Sequence, residues 1–221
     1  MQDNHYYILK PAVGTEETGM AFPAVESYDD YDFDGPNSVY KLDSDFFPDF
    51  VPDIRFKLAK GAKLCDIMGQ ATISACGLLI SPRLKDIFDQ FNIVPHRYYL
   101  ANIETKGVLH QYYWMHIVWN DGINHLVFKD SKFQINEFGD NLGDLEISSY
   151  KDLLDKQTEL GFMKMIFNYN SVMFNIVFDV FTHPLNKTIY LSENIYNTIM
   201  HKNLTGIDTF IAALSVRQIQ I

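Results

Sequence analysis

Cys76-Gly77-Leu78-Leu79-Ile80-Ser81-Pro82-Arg83-Leu84-Lys85-Asp86-Ile87-Phe88 carries the plan from which the fold is read. Cys76 to Ile80 is a continuous apolar run of strand length. Ser81 and Pro82 supply a helix N-cap, whose oxygen accepts an otherwise orphaned amide, and a first-turn proline with φ already set. Leu84, Ile87, Phe88 and Phe91 then recur at spacings of three and four, which predicts one apolar helix face ending near Asn92. Arg97 to Ile103 returns as a strand. The same order appears at Tyr190-Leu191-Ser192-Glu193-Asn194-Ile195: a strand over Thr188 to Leu191, a serine cap, a helix over Glu193 to Lys202, then Gly206 and a last strand from Ile207 to about Leu214. Phe88 matches Ile199 in this alignment and Ile93 matches Leu204. Strand–cap–helix–strand is a common unit, so the match arises either by chance or from two related halves around a largely antiparallel sheet. Both readings predict an α+β protein.

Working outward, His5 to Leu9 reads as a short strand, and Ile54 to Leu58 alternates apolar and charged residues as a half-buried strand does. Gln111 to Trp119, the turn residues Asn120-Asp121-Gly122, and His125 to Lys129 predict a hairpin, because Asp-Gly tolerates positive φ between flanking aromatic and β-branched residues. Ser149 with Asp152 caps a helix to about Leu160, and Gly161 suits its C-terminal end. Phe162 to Phe181 is too long for one strand, and Asn168 to Ser171 is expected to turn it into a second hairpin. The expected fold is a single α+β domain over residues 1–221, with a mixed or largely antiparallel sheet and about three helices. Residues 1–53 form an acidic, aromatic N-terminal portion and residues 54–221 the main body.

The chain has 221 residues, a net charge of −10 and 47% hydrophobic residues, too apolar for wholesale disorder. The acidic balance disfavours nucleic acid, whose binding depends on Lys and Arg displacing counterions, and makes basic proteins the better partners. Only Cys65 and Cys76 are present, which predicts two reduced thiols in the core rather than a disulfide scaffold. Met1-Gln2-Asp3-Asn4-His5 has neither the basic nor the apolar region of a signal peptide. The longest nearly apolar stretch, Ser171 to Phe181, is interrupted by Asn175 and Asp179 and falls far short of a membrane span. A soluble cytoplasmic protein with no membrane partner is expected.

The chain contains no G-x-S-x-G, G-x-x-x-x-G-K-[ST], G-x-G-x-x-G or H-E-x-x-H motif, and three weaker constellations remain. Asp30, Asp32, Asp34 and Gly35 open like a calcium loop, but position twelve is Lys41 rather than an acid. His110, His116 and His125 would offer zinc ligands if they converged, and these histidines or the acidic loop define the alternative reading of a metal-dependent hydrolase. Cys65 and Cys76 sit among apolar neighbours, where cysteine behaves as a small hydrophobe. No catalytic residue, metal or cofactor is expected. Residues 26–53 hold nine acids and one base, Lys41, interleaved with Tyr28, Tyr31, Phe33, Tyr40, Phe46, Phe47 and Phe50. Carboxylates raise the on-rate of a basic partner and desolvated rings supply hot spots, so Glu26, Asp29, Asp30, Tyr31, Asp32, Phe33 and Asp34 are the candidate partner-binding residues. A solubility face over a packed loop is the competing reading.

Pro52-Asp53-Ile54, Lys60-Gly61-Ala62-Lys63-Leu64-Cys65-Asp66-Ile67 and Gly77 to Asp86 together resemble the bacterial polymorphic-toxin immunity proteins of the eleventh class and their relatives. Phe178-Asp179-Val180-Phe181, Ile189-Tyr190-Leu191-Ser192 and Leu204-Thr205-Gly206-Ile207 extend the likeness. Such proteins often end in a strand, a serine, a helix and T-G-[FIV]. The resemblance covers roughly residues 50–210, discontinuously, through caps, turns and core positions. It implies a non-enzymatic antidote that binds a cognate toxin domain in the cytoplasm of the producing cell. The acidic stretch lies outside it, so the role of that stretch rests on charge and aromaticity alone. A structural or adaptor module is the third class considered.

Overall fold

Ser81 and Ser192 do end a strand and open a helix, and each is tied to an aspartate that begins the neighbouring strand. In the computed structural model the described residues are 5–118, 122–161, 164–175, 177–182, 188–212 and 216–218, with backbone alone at 164–172 and 216–218. The first half contains β1 (Tyr6–Pro11), β2 (Val25–Ser27), β3 (Ile54–Leu58), β4 (Ile67–Met68), β5 (Gly77–Ile80), α1 (Pro82–Phe88), β6 (His96–Thr105) and β7 (Val108–Ile117). The second contains β8 (Lys132–Glu137), β9 (Asp140–Leu145), α2 (Tyr150–Leu160), β10 (Lys164–Phe174), β11 (Val180–Thr182), β12 (Ile189–Ser192), α3 (Glu193–His201), β13 (Ile207–Ile211) and β14 (Val216–Gln218). The protein is α+β. Its sheets run in the orders β2-β3-β6-β7-β5-β4, β11-β12-β1-β13 and β14-β10-β8-β9. Pairing is antiparallel except at β3–β6 and β10–β14.

The two strand–cap–helix units make reciprocal contacts. Ser81 Oγ donates to Asp66 Oδ1 at 2.6 Å and Ser192 Oγ to Asp179 Oδ1 at 2.6 Å. The second oxygen of each aspartate reaches across to the loop after the other unit's helix. Asp66 Oδ2 accepts from Thr205 N at 2.9 Å, and Asp179 Oδ2 accepts from Asn92 N at 3.1 Å. The aspartate amides complete the exchange, Asp66 N donating to Thr205 O and Asp179 N to Asn92 O. Each half is thereby clasped to the other at equivalent positions, the arrangement expected of related halves. The caps differ in one respect: Ser81 Oγ also accepts from Leu84 N, whereas Ser192 makes no side-chain cap bond.

One apolar core runs through all three sheets, from Tyr6 through Leu84, Phe88, Met115 and Phe133 to Leu153, Phe181, Leu191 and Ile195. A second lies on the opposite face of the six-stranded sheet, where Phe56, Leu79, Ala101, Ile103, Tyr112 and Trp114 are covered by Tyr31, Val39 and Leu42 of the acidic segment. That cover shapes the candidate site.

Several expectations are corrected. The hairpin over 111–129 does not form: β7 pairs with β6 and β5, and Gly122–His125 and Phe128–Asp130 are short 3-10 turns, while residues 119–121 lie outside the described ones. The hairpin β7 does make is closed by Lys106 and Gly107, both at positive φ (53° and 76°), as a tight two-residue turn requires. Nor does Asn168 to Ser171 turn the chain. β10 passes through as one strand with a register shift against β8 between Phe167 and Ser171. The first helix ends at Phe88 rather than Asn92, and β6 extends both ends of its expected strand.

Candidate protein-binding surface

The acidic segment is ordered because a few of its rings and hydroxyls point inward. Tyr31 is buried, and its hydroxyl donates to Asp53 O at 2.8 Å and accepts from Val39 N at 2.9 Å, closing the loop between residues 31 and 53. Ser38 accepts from Tyr40 N and caps the short turn over Val39–Lys41, whose Val39 is buried. Asp53 N donates to Asn37 O, and Gly35 N and Ser38 N extend a run of turns from Asp32. Phe33 is half-buried, its ring 4.9 Å from Tyr31 and 4.6 Å from Tyr40. The outward side is different. Asp29, Asp30, Asp32 and Asp34 are exposed, as are Glu26 on β2 and the rings of Tyr40 and Phe46, 58% and 60% exposed.

Two carboxylates of the segment are partly neutralised. Asp53 takes Arg55 Nε at 2.9 Å on both oxygens, and Asp29 lies 3.5 Å from Lys57. Arg55 and Lys57 also flank the ring of Tyr28, whose hydroxyl donates to Glu104 at 2.5 Å. That bond holds the phenol proton and raises its pKa above the ordinary value. Asp30, Asp32, Asp34 and Asp49 form no ion pair among the described residues. Asp30 and Asp32 line a cleft of about 270 Å³ with Asn37, Ser38, Asp53 and Arg55. The candidate residues therefore divide by role. Tyr31 frames the loop, Phe33 supports it, and Glu26, Asp29, Asp30, Asp32 and Asp34 present charge to solvent.

The other constellations do not assemble. Among the described residues no group of three or more His, Cys, Asp or Glu side chains is placed to hold a metal ion. His110 and His116 share a face of β7, opposite Ile103 and Arg97. His116, however, is wholly buried with Nε2 on the Asp43 carbonyl, and His125 bonds Asn175 in a different part of the chain. Cys65 and Cys76 are buried and not joined by a disulfide, and burial pushes the Cys65 thiol above its ordinary pKa, away from nucleophilic use. No helix among the described residues is long and apolar enough to cross a membrane.

Sequence reasoning passed over the two clasping aspartates. Their signal is present: each directly precedes the β-branched residue of a short strand, at Asp66-Ile67 and Asp179-Val180, and stands 15 or 13 residues ahead of a capping serine. It also passed over His116 as the anchor of the acidic segment. A scan against protein-family models and a search of curated proteins both find no match to this chain.

Proposed function

We propose that this protein is an immunity-type antidote that neutralises a cognate bacterial toxin domain by direct binding in the cytoplasm, without catalysis. The observation that carries the reading is the row of exposed, ion-pair-free carboxylates at Asp30, Asp32 and Asp34, set on a loop made rigid by Tyr31 and Phe33. Preorganised charge costs little ordering on binding, and exposed rings beside it provide area to desolvate. A net charge of −10 suits a basic toxin such as a nuclease, because an acidic inhibitor presents the charge pattern of the nucleic-acid substrate. The likeness to eleventh-class immunity proteins through the caps and turns of residues 50–210 supports the same reading.

The test is the association kinetics with the C-terminal domain encoded by the neighbouring gene, once that domain has been found toxic when expressed alone. Replacing Asp29, Asp30, Asp32 and Asp34 with alanine should slow association about tenfold or more at low salt and flatten its salt dependence, leaving dissociation less affected. Association unchanged at every ionic strength would remove the acidic loop from the interface.

A further inference from the structure

We infer that residues 43–50 form a hinged strap over the six-stranded sheet, and that protonation of His116 opens it. The strap runs between the buried anchors Leu42 and Pro52, carries the buried Pro48, and is fastened to the sheet through Asp43, Ser44 and Phe47. His116 Nε2 lies 2.6 Å from the carbonyl of Asp43, Cys76 N donates to Ser44 Oγ at 3.0 Å, and the Phe47 ring stands edge-on to His116 at 5.4 Å with the Arg97 guanidinium over it at 4.5 Å. A carbonyl only accepts, so Nε2 carries the imidazole proton and Nδ1 is bare.

Beneath the acidic segment three side-chain groups of the sheet are buried without a hydrogen bond: His116 Nδ1, the Tyr99 hydroxyl and the Trp114 indole N–H. Tyr99 and Trp114 are opposed across β6 and β7, and Arg97 is opposed to His116. Of these, His116 Nδ1 belongs to the ring that the strap fastens, and water reaches it when the strap lifts. A proton on Nδ1 adds a buried donor with no acceptor. The groups that face His116 are the Asp43 carbonyl and carboxyl and the Phe47 ring from the strap, Arg97 and Tyr99 from β6, and the backbone of Gly77 from β5. Burial and Arg97 oppose the imidazolium and Asp43 favours it, with burial the largest, so the ring holds its second proton less readily than an ordinary histidine.

The sign follows. A group whose folded pKa is depressed contributes closure above its open-state pKa, about 6.5, and loses it as pH falls below that value. Between pH 7.5 and 5.5 the open fraction rises, by at most about tenfold for one such histidine. The strap carries Asp43, Asp45, Phe46 and Asp49 of the same acidic segment as the proposed toxin-binding residues, so its opening changes the charge presented beside them. That consequence rests on the immunity reading, whereas the switch itself does not.

Hydrogen exchange in the free protein tests it without any partner, so its failure is distinct from failure of the toxin assay. The readout is the Cys76 amide, which donates to Ser44 Oγ of the strap, corrected for its intrinsic rate, with the Leu153 amide of α2 as control. The expected result is a loss of protection at Cys76, up to about tenfold, from pH 7.5 to 5.5, no change at Leu153, and a flat profile in His116→Gln, which does not titrate. Protection independent of pH, an equal loss at Leu153, or the same loss in the variant overturns the proposal. If the variant does not fold, titration of the His116 ring in the native protein decides: a midpoint below about 6.5 supports the switch, and one at or above it overturns the switch.

Discussion

Removing the carboxyl of Asp66 should cost the fold more than any other single surface-to-core polar change in the clasps. Asp66 is 4% exposed and accepts from Ser81 Oγ at 2.6 Å, Thr205 N at 2.9 Å and Thr205 Oγ1 at 3.1 Å. A hydrogen bond to a charged group contributes about 1.5–3 kcal/mol net, and its loss strands a donor where it is buried. Ser81 is nearly buried and Thr205 only half-buried, so water recovers part of the second bond and little of the first. The Arg83 guanidinium, 3.6 Å away but 63% exposed, adds little. Asp66→Ala should therefore destabilise by about 3–4 kcal/mol, and Asp66→Asn, which keeps one acceptor, by about half as much. Asp179 makes the matching bonds to Ser192 and Asn92 in a half-exposed site, so Asp179→Ala should cost only about 1–2 kcal/mol. With a urea slope near the upper end of 1–3 kcal/mol/M for a chain of this size, the midpoints should fall by a little over 1 M and by about 0.5 M. A shift below about 0.3 M for Asp66→Ala, or a larger shift for Asp179→Ala, would refute the clasp argument.

Three further outcomes follow from the packing. Tyr31→Phe leaves the buried Val39 N–H without its acceptor and should cost about 1–2 kcal/mol in the same urea assay while the far-ultraviolet spectrum stays unchanged. Gly77→Ala should block soluble expression or cost more than about 3 kcal/mol, because the added Cβ would stand 2.3 Å from Met115 O and 2.7 Å from Trp114 Cζ2, closing β5 off from β7. Tyr6 and Tyr112, whose hydroxyls donate to Phe178 O and Cys65 O, have their pKa raised chiefly by burial. The folded state keeps those protons after the unfolded state releases them, so their contribution is complete below about pH 10 and is lost as pH rises above it. Absorbance at 295 nm should show both rings ionising only together with unfolding; early, reversible ionisation of all tyrosines would contradict their burial.

The α+β class and the plan of each half were legible because serine caps and apolar spacing are local signals. Leu79-Ile80-Ser81 and Tyr190-Leu191-Ser192 carry them in consecutive residues, and the strands at Ile54–Leu58 and Ile189–Ser192 follow from the same kind of evidence. Which strands neighbour which was not legible. Asn120-Asp121-Gly122 is a sound hairpin signal, yet β7 is a central strand whose partners are β6 and the distant β5, and no local pattern states a partner. In β8, Gln134 and Asn136 are buried beside Phe133, so the polar–apolar alternation that marks a half-buried strand is blurred and the β8–β9 hairpin went unread. Its turn, Phe138-Gly139 at positive φ, carries only the glycine half of the usual signature. In the acidic segment, composition foretold order but not direction. That Tyr31 faces in while Asp30 and Asp32 face out depends on hydrogen bonds to Val39 and Asp53, 8 and 22 residues away.

The central claim is that this protein silences a toxin by binding it through the acidic loop. Its most direct test is to count survivors when the C-terminal domain encoded upstream is expressed alone, with this protein, or with the Asp30→Lys/Asp32→Lys/Asp34→Lys variant, after checking that the variant folds. The expected results are killing by the domain alone, full rescue by the native chain with co-purification of the pair, and lost or sharply reduced rescue by the variant. Killing that the folded variant relieves as fully as the native chain, or that neither relieves, would contradict it.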